Sequence, residues 1–176
     1  MAYNKLEYLE LIKLAERQYK FSVAVGSLAL FNDEEIQNHL PTSMVWGSHS
    51  YTGVEFELKN EEMKECSVLM QNSAMYILVV QIDKFLEIFC KDRYKHSEHG
   101  IKNASILIRQ IRNSFAHDPI YPKWDVKQPE AKGKRIEIPN IMEIDFSLVD
   151  GKIISRYDFG GPLAILRLSE YIRNRF

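Results

Sequence analysis

A long apolar helical pattern between residues 60 and 93 constrains the fold of this chain more than any other feature. Asn60 is a good N-cap residue, and Glu61 and Glu62 follow in the first turn, where the helix dipole favours acidic side chains. Apolar residues then recur at helical spacing along one stripe: Met63, Cys66, Met70, Ala74, Ile77, Phe85 and Phe89. Because residues 74–82 are apolar on nearly all sides, the pattern predicts one long, central helix that is buried on several sides.

Two more helices are predicted before this one. Residues 4–31 have apolar side chains mostly at helical spacing, with acidic residues early and basic residues later, which predicts a long first helix. Its predicted inner stripe consists of Leu6, Leu9, Ile12, Leu14, Tyr19 and Val23. The acidic residues 33–35 open a short second helix that Pro41 ends. Residues 41–58 contain Gly, Ser and Thr and predict a connector with a short strand at 54–58.

A fourth helix is predicted over residues 103–117. Pro119 disfavours helical geometry at the residue before it, so the helix should end at or just after His117. The predicted inner stripe of this helix consists of Ala104, Leu107, Ile108, Ile111 and Phe115.

The chain after the fourth helix predicts a small β element. Residues 136–138 and 142–148 alternate apolar and polar side chains, as half-buried strands do. The Asp-Gly pair at 150–151 is a strong hairpin signal, and residues 153–159 are predicted to return as the partner strand. Pro162 suits the first turn of a closing helix. The predicted inner face of that helix consists of Leu163, Leu166 and Tyr171.

The length of the chain suits one domain, and the helical patterns above predict that residues 1–176 are mostly α-helical. With 45% of its residues hydrophobic, the chain can bury a sizeable core. We expect residues 1–120 to form a helical bundle, 121–161 to add a loop and a β-hairpin, and 162–176 to form the closing helix. The longest unbroken apolar run, 74–80, is much shorter than the roughly 20 residues needed to span a bilayer. We therefore expect a cytoplasmic protein with no membrane contact.

The two cysteines, Cys66 and Cys90, both fall on the predicted 60–93 helix. At about 1.5 Å of rise per residue, a continuous helix separates them by roughly 36 Å, far beyond the about 7 Å that a disulfide allows between Cα atoms. We expect no disulfide between them within one chain and predict that both are ordinary buried thiols.

Charge is unevenly distributed along the chain, although the net charge is only −1. Residues 1–83 carry 6 basic and 12 acidic side chains, residues 84–123 carry 8 and 4, and residues 124–176 carry 9 and 8. A local positive field in the central stretch could concentrate a polyanion at one place, although a chance imbalance would look the same. We expect His96 and His99, in the same stretch, to be solvated loop residues.

A cluster of polar side chains ends the predicted 103–117 helix. Asn113 and His117 are four residues apart and share a face, whereas Arg112 and His117 are about 140° apart and converge only if the helix unwinds or Arg112 extends. Histidine can act as general acid or base near neutral pH, and arginine offers a permanently charged fork to phosphate. An amide can orient the histidine or donate to a phosphate oxygen. These residue types suit acid–base chemistry at a bound phosphate.

The same residues resemble the signature of HEPN domains, which are small helical bundles. Arg112 and Asn113 are followed by three residues and then His117, and the family motif has Arg, four to six residues and His, often with Asn, Asp or His directly after the Arg. The resemblance covers roughly residues 60–120. Family members with an intact motif are typically metal-independent endoribonucleases of toxin–antitoxin, phage-defence or RNA-processing systems. They usually dimerise, so that two copies of the motif meet in one cleft.

The resemblance implies catalytic roles for Arg112, Asn113 and His117. It also implies RNA as the substrate, a homodimer, and an antitoxin or defence-system partner. Arg109 and Tyr121 are the candidate RNA-binding residues. No cofactor is implied, and the sequence contains no HExxH motif, no CxxC motif and no paired carboxylates near the motif that would predict a metal site.

Each of these residues also has a purely structural explanation. His117 could cap the end of its helix, Arg112 could pair with a surface carboxylate, and Asn113 could simply face solvent. Tyr121 and Trp124 could pack against the bundle rather than stack on bases. Two other functions therefore remain open. One is a non-catalytic RNA- or nucleotide-binding module, and the other is a helical interaction or immunity protein of a defence system.

Overall fold

The computed structural model describes residues 3–39, 42–53 and 58–176 and is mostly helical. The α-helices are α1 (Lys5–Phe31), α2 (Asp33–His39), α3 (Asn60–Phe89), α4 (His99–His117), α5 (Phe146–Val149) and α6 (Pro162–Arg173). The strands form two antiparallel hairpins, β1 (Ser43–Trp46) with β2 (His49–Thr52), and β3 (Arg135–Ile138) with β4 (Met142–Asp145). Short 3₁₀ helices cover Arg93–Lys95 and Arg156–Phe159. The mostly α prediction is therefore confirmed. Within the described ranges, no helix combines the length and apolar character that crossing a membrane requires.

The chain divides into two compact units. The larger unit comprises residues 1–19 and 72–176, and the smaller unit comprises residues 20–71. The smaller unit contains α2, the β1–β2 hairpin and the adjoining parts of α1 and α3. Every residue of the candidate site belongs to the larger unit, so the description below concerns that unit.

The hairpin of the smaller unit lies in the stretch that was expected to be a connector. Strands β1 and β2 pair from Ser43 with Thr52 to Trp46 with His49, and Gly47 in the turn has a φ of 62°, which glycine adopts without steric cost. The alternation of side chains is too short here to have predicted the strands. The short strand predicted at 54–58 lies, apart from Leu58, outside the described residues.

Helix α1 was predicted with nearly correct ends, but its inner face differs from the predicted stripe. Asn4 and Glu7 form a reciprocal cap, with each side chain accepting a hydrogen bond from the other's backbone N–H. Leu6 and Leu14 were expected to face inward, but they are 74% and 60% exposed. The buried positions of α1 are Ile12, Ala15, Glu16, Tyr19, Ser22, Gly26 and Ala29. This face keeps the 3.6-residue period and includes small and polar residues that a search for large apolar side chains misses.

Helix α3 begins where predicted and ends four residues early. The chain leaves the helix through residues 90–92, where Asp92 adopts a left-handed conformation with φ of 52°, and a 3₁₀ helix follows at Arg93–Lys95. The expected stripe is only partly internal, since Met70 and Ile77 are 36% and 39% exposed. The buried positions of α3 are Met63, Ser67, Gln71, Ala74, Met75, Leu78, Val79, Ile82, Asp83, Phe85 and Leu86. The prediction of a central helix is confirmed for its second half, where buried residues occupy several sides.

The cysteines are both free, but only one is buried. Cys90 is 5% exposed, as expected, whereas Cys66 is exposed, so the prediction of two buried thiols was wrong for Cys66. Cys66 lies on a part of α3 where the buried face runs through Met63 and Ser67 instead.

The β-hairpin of the larger unit is shorter than predicted and turns at a different place. Its turn lies between Ile138 and Met142, where Asn140 has a φ of 62°, a conformation that Asn tolerates better than most residues. The Asp-Gly pair at 150–151 instead follows α5. The predicted strand over 153–159 was wrong, because only Ile153 makes a β-bridge, with Lys123, before a 3₁₀ helix begins.

A local capping box explains why that segment is not a strand. The Ser155 side chain accepts from the backbone of the 3₁₀ helix, and the Asp158 side chain accepts from the backbone N–H of Ser155 at 2.9 Å. These bonds satisfy the backbone locally, so the chain turns instead of pairing with a neighbouring strand.

The closing helix α6 begins at Pro162, as predicted, but it presents a different face. Leu163, expected inside, is 55% exposed. The buried positions are Ala164, Ile165, Leu168, Ser169 and Ile172. These positions recur at the three- and four-residue spacing of a helix, one or two residues away from those predicted.

Hydrogen bonds to two carboxylates, Glu16 and Glu98, join α6 to the rest of the larger unit. Glu16, which is 7% exposed, accepts from Ser169 Oγ at 2.6 Å and from Arg173 Nε at 3.0 Å. At the start of α4, Tyr171 Oη donates to Glu98 at 2.8 Å. Gly100 allows that approach, because a Cβ there would lie 1.8 Å from Tyr171 Oη.

Candidate functional site

The site is built on helix α4, whose apolar face is the one the sequence predicts. Ala104, Leu107, Ile108, Ile111 and Phe115 are all between 0% and 1% exposed. This burial fixes the rotation of the helix in the larger unit. The helix begins at His99, four residues earlier than predicted, and ends at His117, as predicted. Its polar side chains are consequently held at defined positions on the opposite side.

A buried carboxylate on α3 gathers three arginines. Asp83, whose side chain is 4% exposed, accepts from Arg93 Nη1 at 2.8 Å through Oδ1 and from Arg109 Nη1 at 2.9 Å through Oδ2. Arg112 Nε lies 3.9 Å from the same Oδ2. We call these four residues the Asp83 cluster. Arg109 and Arg112 come from α4, so the cluster ties the two helices together at the level of the predicted motif.

The Asp83 cluster carries an excess of positive charge. Three guanidinium groups surround one carboxylate, and the side chains of Arg109 and Arg112 remain 28% and 38% exposed. Burial by itself would lower the pKa of Arg109, but the hydrogen bond and the charge of Asp83 outweigh that effect and raise it. Because guanidinium groups are charged throughout the physiological pH range, the cluster keeps this excess charge, and part of it is accessible to solvent.

Arg93, the third arginine of the cluster, lies on the short 3₁₀ helix after α3. Its Nη1 also donates to the backbone carbonyl of Asp83 at 3.0 Å, and its guanidinium carbon lies 4.9 Å from the centre of the Tyr94 ring. Burial is the main cause of the raised pKa of Tyr94. Arg93 is only 8% exposed, so it acts as an internal partner of Asp83.

Arg112 also contacts the next residue of the predicted motif. Its Nη1 donates to Asn113 Oδ1 at 3.2 Å. Asn113 is partly exposed and lies one helical turn before His117. Arg112 does not pair with a surface carboxylate, which was its structural alternative. The carboxylate near it is the buried Asp83.

His117 is exposed in the last turn of α4. The helix continues in regular form up to His117, and the backbone leaves helical geometry only at Asp118, where φ is −147°. The unwinding that would bring His117 toward Arg112 within one chain is therefore absent. In a regular helix the two side chains point about 140° apart, with Asn113 between them.

The two candidate RNA-binding residues have different environments. Arg109 is held by Asp83, and its Nε is buried without a hydrogen-bond partner. Tyr121 is 55% exposed and follows a tight turn in which Asp118 Oδ1 accepts from the backbone N–H groups of Ile120 and Tyr121 at 3.0 and 2.9 Å. The alternative that both aromatic side chains pack against the fold is confirmed for Trp124, which is 1% exposed, but was wrong for Tyr121.

Asp83 and Arg93 were not predicted as site residues. The signal was present in the sequence, because Asp83 interrupts the apolar stretch of the long central helix. A carboxylate on a buried helix face nearly always has a cationic or hydrogen-bonding partner. The nearby arginines of the next helix were therefore the candidates to pair with it.

His96 and His99 do not join this site by any described contact, and the expectation that both are loop residues was wrong for His99, which lies in α4. His96 Nδ1 accepts from the backbone N–H of Glu98 at 3.2 Å, and His99 is the exposed first residue of α4. Over residues 3–39, 42–53 and 58–176, no group of three or more His, Cys, Asp or Glu side chains is arranged to hold a metal ion.

The structure thus places Arg109, Arg112, Asn113 and His117 on the polar side of one helix, beside a buried carboxylate. No family model, no curated protein and no solved structure matches this chain.

Proposed function

We propose that this protein is a metal-independent endoribonuclease of HEPN type that acts as a homodimer. The observation that carries the proposal is the excess positive charge of the Asp83 cluster, which contacts Asn113 on α4, with His117 one helical turn further along. Guanidinium groups that are held in place and partly exposed can bind a phosphodiester group of a nucleic acid. The resemblance of the motif to HEPN domains suggests a toxin–antitoxin, phage-defence or RNA-processing setting.

The proposed reaction is an intramolecular transfer. The 2′-OH attacks the adjacent phosphorus, its proton passes to a base, the bond to the 5′-oxygen breaks, and an acid protonates that leaving oxygen. The products are a 2′,3′-cyclic phosphate and a 5′-OH. In this scheme His117 is the acid or base, Arg112 binds the phosphate and its developing charge, and Asn113 orients His117 or donates to a phosphate oxygen.

The directions in which Arg112 and His117 leave α4 support a site formed by two chains. Arg112 and His117 of one chain point about 140° apart, so a single copy does not place both on one phosphate without rearrangement. Two copies of α4 facing each other would supply two arginines and two histidines to one cleft. One His117 would then serve as base while the second serves as acid.

The direct test is cleavage of an end-labelled structured RNA by the purified protein in excess EDTA. We expect cleavage by the wild type, with 2′,3′-cyclic phosphate ends, and a loss of about 100-fold or more in His117→Ala. His99→Ala is the matched control, since it makes the same change at the other, exposed end of α4. Cleavage by His117→Ala at the wild-type rate would refute the assignment.

A non-catalytic RNA-binding module is the second candidate. The divergence of Arg112 and His117 within one chain favours it, because charge alone is enough for binding. Salt-dependent RNA binding without product, in protein shown by sedimentation to be dimeric, would favour this function over cleavage.

A further inference from the structure

We infer that Asp83 is a positioning residue for the proposed cleavage site, acting on the substrate phosphate through Arg112. The inference rests on the proposed function. It assigns a role to a residue outside the motif, on a different helix. Asp83 is too deeply buried to meet RNA itself, since its side chain is only 4% exposed.

The two oxygens of Asp83 have different roles. Oδ1 is occupied by Arg93, which is almost fully buried, at 2.8 Å. Oδ2 is occupied by Arg109 at 2.9 Å and faces Arg112 Nε at 3.9 Å. Arg93 and Arg109 therefore form hydrogen bonds with the carboxylate. Arg112 lies farther away and interacts with it only electrostatically.

Because Arg112 lies farther from Asp83 than Arg93 and Arg109 do, it remains free to bind the substrate phosphate. Arg93 and Arg109 satisfy the carboxylate, so Asp83 does not need Arg112 to offset its burial. Arg112 is held near a defined direction by the carboxylate and by Asn113, at 3.2 Å, while 38% of its side chain stays exposed. Its guanidinium can then exchange a loose contact for a bidentate one with a phosphate that becomes more negative in the transition state.

A structural role alone would make a different prediction. If Asp83 only stabilised the fold, its loss would lower activity no more than the loss of another buried carboxylate does. Glu16 provides that comparison, since it is 7% exposed and is bound by Ser169 and Arg173. It shares no hydrogen-bond partner with the Asp83 cluster.

The first arm of the experiment measures kcat and KM for RNA cleavage in Asp83→Asn and Glu16→Gln. We expect kcat to fall about 100-fold in Asp83→Asn with KM within about threefold, because a misdirected Arg112 loses transition-state contacts more than ground-state binding. Glu16→Gln, measured at a temperature where it is folded, should keep kcat within about threefold. An equal loss of kcat in the two variants would overturn the inference.

The second arm does not depend on cleavage. Phenylglyoxal labelling of each arginine, measured by mass spectrometry, reports how firmly Arg112 is held. We expect labelling of Arg112 to speed up at least about threefold in Asp83→Asn relative to the exposed Arg167, and not in Glu16→Gln. If the wild type does not cleave RNA, the proposed function fails while this arm still tests the positioning. Unchanged labelling of Arg112 would overturn the positioning even in an active enzyme.

Asp83→Glu keeps the test decisive if Asp83→Asn does not fold. The longer side chain retains the charge but moves the carboxylate by one methylene. We expect a folded protein with kcat about tenfold lower and faster labelling of Arg112. Wild-type kcat and wild-type labelling in this variant would overturn the inference.

Discussion

Trp124 Nε1 donates a hydrogen bond to Asp158 Oδ2 at 2.8 Å, across 34 residues of sequence. The Trp124 ring is 1% exposed and makes edge contacts with Phe146 and Phe159, at centroid distances of 5.6 and 6.3 Å. The same Asp158 oxygen accepts from the backbone of Ser155. This one carboxylate therefore joins the loop after α4 to the 3₁₀ helix before α6, and the tryptophan is the centre of that part of the fold.

Replacing Trp124 with Phe should destabilise the protein without changing RNA affinity. The loss of the indole N–H leaves Asp158 with one partner fewer, and the smaller ring leaves a space, so we expect about 1–3 kcal/mol less free energy of unfolding. Urea denaturation followed by circular dichroism measures this. Trp124→Ala should lose about 3–5 kcal/mol. If Trp124→Phe keeps full stability but binds RNA more weakly, the ring is a base-stacking residue and the buried role is wrong.

Tyr121 should show the opposite behaviour, because it is 55% exposed. If the proposed function holds, Tyr121→Ala should weaken binding of a non-cleavable 2′-deoxy RNA analogue by about 1–3 kcal/mol, the usual contribution of an aromatic side chain that stacks on a base. The free energy of unfolding should change by less than about 0.5 kcal/mol. Tyr157→Ala, at an 85% exposed tyrosine, is the matched control and should leave the affinity unchanged. Equal affinities in all three proteins would remove Tyr121 from the RNA-binding surface.

The sequence predicted the helices of this fold better than the faces they bury. The ends of α1 and α6 and the C-terminal end of α4 follow from capping residues, prolines and periodicity, which act locally. The buried faces of α1, α3 and α6 depend on which neighbours each helix meets, so positions such as Leu14 and Leu163 remain exposed although their residue type suggests burial.

The hairpin of the larger unit shows how local bonds can override a strand pattern. Residues 153–159 alternate well enough to predict a strand, and the Asp-Gly pair before them predicts a turn. Asp158 instead caps a 3₁₀ helix and binds Trp124, a contact that the local sequence cannot show. Strand pairing depends on residues that are distant in the sequence. Here the contact between Asp158 and Trp124 forms instead of a strand pair.

The relative directions of the motif side chains could be predicted from the sequence, whereas the contacts that Asp83 makes could not. Arg112, Asn113 and His117 stand close together in the sequence, and a helix fixes their relative directions. Asp83 lies 26 residues before Arg109, on another helix, so their 2.9 Å contact depends on how α3 and α4 pack. An unexplained carboxylate on an apolar helix would have identified Asp83 as a residue in need of a partner.

The proposed phosphate contact of Arg112 predicts a measurable change in salt dependence. Arg112→Gln should make the negative slope of log affinity against log salt concentration shallower by about 1 for a non-cleavable RNA. The reason is that a protein with one phosphate contact fewer releases fewer counterions on binding. Titrations between low and moderate salt give the slope. Arg167→Gln, at an exposed arginine of α6, is the control and should keep the wild-type slope. An unchanged slope in Arg112→Gln would mean that Arg112 does not bind phosphate.

The two cysteines should differ strongly in reactivity. Cys66 is exposed, whereas Cys90 is 5% exposed, and burial raises the pKa of its thiol despite the nearby charge of Arg93. We expect one thiol per chain to react with a maleimide or disulfide reagent in the native protein, and the second to react at least about tenfold more slowly until urea is added. Cys66→Ser should remove the fast phase. Fast labelling that survives in Cys66→Ser would show that the region around Cys90 opens readily.

Glu98 predicts how stability responds to acid. The Arg175 guanidinium and the Tyr171 hydroxyl hold the pKa of Glu98 below its usual value of 4.5. A lowered pKa in the folded state means that the contribution to stability is fully present above the unfolded pKa and is lost as the pH falls through the folded pKa. The pair is largely exposed, so we expect less than about 1 kcal/mol.

The measurement compares the free energy of unfolding of the wild type and Glu98→Gln between neutral pH and strong acid. The wild type should be more stable at neutral pH, and the difference should shrink once the pH falls below about 4.5, because both side chains are then uncharged. Tyr171→Phe keeps the charge of Arg175 beside Glu98 and removes one hydrogen bond, so its stability should still fall in acid as that of the wild type does. A difference between wild type and Glu98→Gln that stays constant down to pH values well below 4.5 would show that the carboxylate charge of Glu98 does not contribute to folding.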